Sequence, residues 1–243
     1  MRKLREINRC EVSSSPEARS SASLLLQTWL SPAFPVGGFA YSHGLESAVD
    51  AGEIADAKTL EDWVHDLVDH GSLNNDMALI ACGWSAVQAK DLVALAGVND
   101  LALALAPSRE RHLETMAQGN AFLTAVGAAF PCADIEAFAR VSAGHSAYPV
   151  ALAVAASGHD VPLRLTCESW GLAFVSALVS AAVRLGPIGQ TEGLRLVAKM
   201  LPRIVARAAL AERSTLNDLG GAAIRSDIAS MRHETQYSRL FRS

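Results

Sequence analysis

The side chains best able to do chemistry crowd one short stretch. Ser31 to Glu46 reads S-P-A-F-P-V-G-G-F-A-Y-S-H-G-L-E and places a phenol, a hydroxyl, an imidazole and a carboxylate at Tyr41, Ser42, His43 and Glu46. A hydrolase would use Ser42 as nucleophile and His43 as base, with Glu46 behind them. Adjacent residues seldom converge on one site, and no G-x-S-x-G elbow surrounds Ser42. Pro32 and Pro35 fix φ, whereas Gly37, Gly38 and Gly44 free it, so the stretch reads as a shaped turn between helices. A rigid turn presenting Pro35, Gly37, Tyr41, Ser42 and Glu46 suits recognition of a partner, because preorganisation lowers the entropy lost on binding. No catalytic residue is expected.

Two further segments exceed what packing alone requires. Gly186 to Gly193, G-P-I-G-Q-T-E-G, stops one helix and reopens another near Gln190 or Thr191. It lacks the G-K-[ST] and the preceding strand of a phosphate loop, so Gln190 is read as a contact residue. The segment Met231 to Ser243 sets Tyr237, Leu240 and Phe241 among Arg232, Arg239 and Arg242, beside His233, Glu234 and Ser238. Aromatic anchors with arginines dominate protein interfaces. An alternative use is an arginine supplied in trans to a nucleotide, from Arg232, Arg239 or Arg242.

Metal chemistry has little support. None of the seven histidines forms H-x-x-x-H or H-E-x-x-H, and His65 and His70 lie five apart, off one helical face. His233, with Glu234, is the weak candidate, through pairing across a twofold axis. Otherwise no metal ligand and no cofactor is expected. Cys10, Cys82, Cys132 and Cys167 form no C-x-x-C pair and read as reduced thiols of a cytoplasmic protein. Glu110/Glu114 and Asp66/Asp69 have same-face helical spacing and read as solvated charge.

The elements that must position these groups are helical. The 243 residues are half hydrophobic and 19% charged, enough for one large core. A net charge of −4 gives no pull toward nucleic acid or an anionic membrane. Leu60, Trp63, Val64, Leu67 and Val68 keep the i, i+3, i+4 spacing of an amphipathic helix, with Thr59 and Asp62 as its capping pair. Asn74 or Asn75 caps the next helix. Pro107 ends an Ala/Leu-rich one, and Ser108 caps a long helix toward Phe130. Helices are also expected from Asp134, from Thr166, and from Thr215 with Asp218 completing the cap. Ser169 to Val183 is free of charge but spans only 15 residues, short of the roughly 20 a membrane needs. The reading is an all-α, single-domain bundle of roughly ten helices. Residues 1–23 are a polar leader without the apolar core of a signal peptide, 24–232 the helical domain, and 233–243 a partner-binding tail.

These segments carry a resemblance. S-P-A-F-P-V-G-G-F-A-Y-S-H-G-L-E, G-P-I-G-Q-T-E-G and R-H-E-T-Q-Y-S-R-L-F-R-S, in that order, resemble the motifs of the UreF family of urease accessory proteins. Glu110-Arg111, Met116 with Gly119, and Tyr148-Pro149-Val150-Ala151 also fit. Gly38, Gly186 and Ile188 depart from the usual residues without removing a charged or aromatic position. The resemblance implies an all-α homodimer that is not an enzyme. It also implies binding to UreD (UreH in some bacteria) and recruitment of the GTPase UreG to apo-urease for nickel insertion.

Overall fold

A computed structural model describes residues 16–243. Residues 1–15 of the expected leader lie outside that range, and its remainder is already helical, because α1 spans Pro16–Trp29. The chain continues through α2 (Leu45–Asp50), α3 (Ala57–Asp69), α4 (Ser72–Gln88), α5 (Leu92–Ala104) and α6 (Arg109–Ala129). Then come α7 (Ala133–Ser142), α8 (Tyr148–Gly158), α9 (Leu163–Leu185), α10 (Gln190–Ala211) and α11 (Ile224–His233). Single 3-10 turns occupy Gly38–Ala40 and Leu216–Asp218, and among the described residues there is no strand.

Local chemistry explains most boundaries. Ser108 caps α6 by accepting from Arg111 N–H, as expected. α3 buries Leu60, Trp63, Val64, Leu67 and Val68, but its cap is Asp56, whose carboxylate accepts from Thr59 N–H while Thr59 Oγ1 accepts from Asp56 N–H. Thr59 therefore sits inside the first turn, and Asp62 instead pairs with Lys58. α4 begins at Ser72, so Asn74 and Asn75 lie within it. Thr215 and Asp218 do form a reciprocal cap, yet it closes only one 3-10 turn, and α11 starts later at Ile224. Gly186, at φ 97°, ends α9.

α8 is the hub. Its residues from Tyr148 to Ser157 are all buried, and α4, α6, α7, α5 and α9 pack around it. A row of rings joins the surrounding layers: Trp29 to Phe122 at 6.3 Å, Phe122 to Tyr148 at 5.5 Å, and Tyr148 to Trp170 at 4.9 Å. The connection into α8 is clamped by two amides. Asn99 Nδ2 donates to His145 O at 2.7 Å while its Oδ1 accepts from Ala147 N, and Asn120 does the same for Gly144 O and Ser146 N. α6 passes so close to this connection that a Cβ at Gly119 would lie 2.0 Å from Ser146 O. α9 is 23 residues long and apolar enough to cross a membrane by length and composition; it packs against α10 and α4 with more than half of its apolar stretch buried.

Candidate functional site: a loop and tail clasp

The fold brings the Ser31–Glu46 segment and the tail together. Gly44, at φ 78°, turns the chain into α2, and a Cβ there would lie 2.7 Å from Ser230 N of α11. Only glycine meets both demands. Beside that turn the tail runs back along the loop. Arg242 N–H donates to Ala40 O at 2.8 Å, and Ser42 N–H donates to Ser243 O at 2.7 Å. Ser42 Oγ donates to the same carbonyl and accepts from Glu46 N–H.

Glu46 holds the centre from the first turn of α2. Its Oε1 accepts from Leu240 N–H at 2.6 Å, and its Oε2 from Phe241 N–H at 2.8 Å and His233 Nε2 at 3.1 Å. The other nitrogen of His233 lies 2.6 Å from Glu110 Oε2, and Glu110 Oε1 accepts from Arg239 at 2.7 Å. His233 has no solvent exposure and a carboxylate oxygen within hydrogen-bond reach of each ring nitrogen. Ser230 Oγ meets the Ser108 cap at 2.5 Å, and Glu234 accepts from Arg109 N–H at 2.8 Å, so the first turn of α6 is also held by this region.

Glu114, one turn along α6, anchors a second knot. It accepts from Arg111, from His43 Nε2 at 2.9 Å, from Gln118 at 3.1 Å and from Ser243 Oγ at 2.6 Å. Burial alone would raise its carboxyl; Arg111, then His43 and Ser243, outweigh that and hold it well below the usual range. Burial and Arg111 lower His43 against the opposing pull of Glu114, so the His43–Glu114 contact is a hydrogen bond from a neutral ring, whose Nδ1 is buried without a partner among the described residues. Arg184 of α9 closes the top. Its guanidinium stacks 3.8 Å from the Phe39 ring and 4.3 Å from the Phe241 ring and donates to Phe39 O at 2.8 Å.

Several expectations change. Ser42, Glu46, His233 and Phe241 are buried, so they hold the tail to the loop and are not themselves surface groups. Ser42 Oγ is committed to Ser243 O, and His43 faces Glu114, so no nucleophile and base are paired. Glu110 and Glu114 are not solvated: Glu114 is 2% exposed and both are locked in the clasp. Pro35, Gly37, Arg232, Tyr237, Ser238, Arg239, Leu240 and Arg242 are exposed, and Tyr41 and Glu234 half-buried. Gln190 is exposed at the start of α10, outside the clasp. Sequence reasoning missed Glu110, Glu114, Arg111, Gln118 and Arg184 as members of the clasp. It also missed an exposed apolar row on α11, Ile224, Ile228 and Met231, whose i, i+4, i+7 spacing was the available signal. Among the described residues no group of three or more His, Cys, Asp or Glu is placed to hold a metal, and both nitrogens of His233 are already engaged.

The clasp residues are thus arranged for holding two segments in register. Comparison with known proteins says where such a fold belongs. The family model described as UreF matches residues 54–201. The urease accessory protein UreF of Methylorubrum populi is 50% identical over 221 residues, covering 91% of this chain and 99% of the relative. That of Methylobacterium radiotolerans is 49% identical over 228 residues, 94% of this chain and all of the relative. That of Xanthobacter autotrophicus is 51% identical over 228 residues, covering 93% and 94%. With such identity along nearly the whole of each relative, the chain belongs to the UreF family of urease accessory proteins.

Proposed function

We propose that this chain acts in urease maturation as a non-catalytic, cytoplasmic scaffold. It binds UreD/UreH through α11 and the tail, recruits the GTPase UreG through the Pro35–Glu46 loop, and brings both to apo-urease for nickel insertion. The observation that carries this reading is the clasp. It fixes the loop and the tail into one surface, where Phe39 (73% exposed), Leu240 (64%) and Tyr237 stand out beside the α11 row. Apolar and aromatic groups held out from a rigid, buried network are the anchors of a protein interface. Pairing of two copies has a separate support: Leu194, Leu201 and Val205 form an exposed apolar seam on α10.

The test is a pull-down of UreD/UreH and UreG by the full chain and by a chain lacking Tyr237–Ser243. The shortened chain stays helical by circular dichroism and loses UreD/UreH. Undiminished binding refutes the reading. A second role, control of UreG through an arginine in trans, is best tested at Arg242. Arg232 is engaged by Glu53 and Arg239 by Glu110, whereas Arg242 is exposed with no carboxylate partner among the described residues. Arg242→Ala then alters GTP hydrolysis by UreG in the assembled complex, and an unchanged rate removes this role.

A further inference from the structure

A cavity of about 530 Å³ opens between the Ser31–Phe39 loop, α6 and α9. Its walls are mostly apolar, with Leu30, Leu79, Tyr148, Trp170, Leu172 and Phe174 among them. The size and lining match those of small-molecule sites. The titratable groups facing it are His43, Asp76, Arg111, Glu114, Tyr148 and Arg184. Arg111 and Glu114 neutralise each other. Burial lowers His43 toward its neutral form and pushes Asp76 up to about 7, and Tyr148 stays a neutral phenol. Below that pH Asp76 is largely uncharged too, which leaves Arg184: its guanidinium lines the cavity and lies between the Phe39 and Phe241 rings, with no carboxylate within ion-pair distance among the described residues.

We propose that this cavity is a binding site for an amphipathic monoanion, whose apolar body lies along Tyr148, Trp170 and Phe174 and whose anionic head meets Arg184. A guanidinium recognises a carboxylate through paired N–H donors, and the low-dielectric walls strengthen that contact. A cationic amphiphile meets the same charge as repulsion, and a neutral one gains only the apolar burial. The cavity borders the loop proposed above to recruit UreG, since Val36, Gly38, Phe39 and His43 help to line it. It shares Arg184 with the clasp, so an occupant also touches the group that stacks on Phe241.

The experiment is isothermal titration of the full chain with three amphiphiles of equal chain length: decanoate, decanol and decyltrimethylammonium. Decanoate binds once per chain and at least about tenfold more tightly than the other two. Arg184→Lys keeps the preference and Arg184→Gln abolishes it. Ser176→Trp, which fills the lined space from the half-buried face of α9, abolishes binding of all three. Absence of saturable decanoate binding overturns the proposal. So does equal affinity for the three amphiphiles, an unchanged preference in Arg184→Gln, or full binding by a folded Ser176→Trp chain. Circular dichroism establishes folding of each variant, and if Arg184→Gln does not fold, the Ser176→Trp result decides.

Discussion

α8 and Glu46 are both withdrawn from water, and they are held by different means. Around α8 the neighbours are apolar side chains from five helices, whose attraction is non-directional and spread over many small contacts. Around Glu46 the neighbours are two amides, an imidazole and, beyond it, Glu110 and Arg239, joined by single directional hydrogen bonds at defined distances. The loss of one methyl group from the first region leaves its other contacts in place and costs about 1 kcal/mol. The loss of one member of the second leaves a buried charge or donor without a partner, which costs more than the contact contributed. The hub therefore sets whether the chain folds, and the clasp sets where its tail goes.

The largest effect tests the hub. Gly119→Ala puts a Cβ where Ser146 O already sits, between two packed backbones that cannot give way. It lowers stability by more than about 4 kcal/mol, or prevents folding, as read by urea denaturation. A cost under about 1 kcal/mol would mean that α6 and the α8 connection are held apart more loosely than this contact requires. Next comes Glu46→Ala, with a local cost of about 3–5 kcal/mol for stranding buried partners. Its signature separates the two regions: hydrogen exchange of the Leu240 and Phe241 amides accelerates while the α8 amides stay protected. The hub counterpart Leu152→Ala loses about 2–5 kcal/mol and loosens every helix together. If both variants loosen the whole molecule equally, the division into hub and clasp is wrong.

A smaller effect is read with pH. The Glu114 carboxyl is held below its unfolded value of about 4.3, so its stabilisation is complete above that pH and lost as pH falls further. Asp76 runs the other way. Burial raises it to about 7, so stability declines as pH rises from about 4, where the unfolded side chain ionises, toward 7. Melting temperatures across this window should show Asp76→Asn gaining on the parent chain as pH rises, whereas Glu114→Gln blunts the acid-side loss. Asp76→Asn with the same profile as the parent would discount the buried carboxyl. The smallest effects on stability are at the surface. Tyr237→Ala, at a fully exposed side chain, changes stability by under about 0.5 kcal/mol. Tyr41→Ala, at a half-buried one, costs less than the 3–5 kcal/mol of a fully buried aromatic. On the function proposed above, both still weaken partner capture, UreD/UreH for Tyr237 and UreG for Tyr41, measured by pull-down.

Many of the helices were readable from the chain because helical signals are local. The apolar period of α3, the Pro107–Ser108 stop and start, and Gly186 after α9 all appear within a few residues of what they determine. Local errors were equally local: Asp56 caps α3 three residues before Thr59, and the Thr215–Asp218 pair closes a turn too short to become a helix. The clasp was only half readable. The residue types of the loop and the tail pointed to two contact segments, but nothing in either says that it meets the other. Glu110 and Glu114 have the same-face spacing of an ordinary surface pair. Their burial depends on α11 and the tail arriving over that face, and no spacing within α6 encodes it.

The bonds from Glu46 to Leu240 and Phe241 join residues 194 and 195 positions apart. Closing so long a ring is slow and comes after short-range helix pairing. On the ribosome, where domains fold as synthesis proceeds, α8 and its neighbours are complete while the partners of Glu46 have not yet been translated. The carboxylate then waits in water with its hydration intact, and the nascent chain carries an open loop. Seating of the tail thus follows the packing of α8 and its neighbours, and the surface built on it is absent from intermediates that lack residues 233–243.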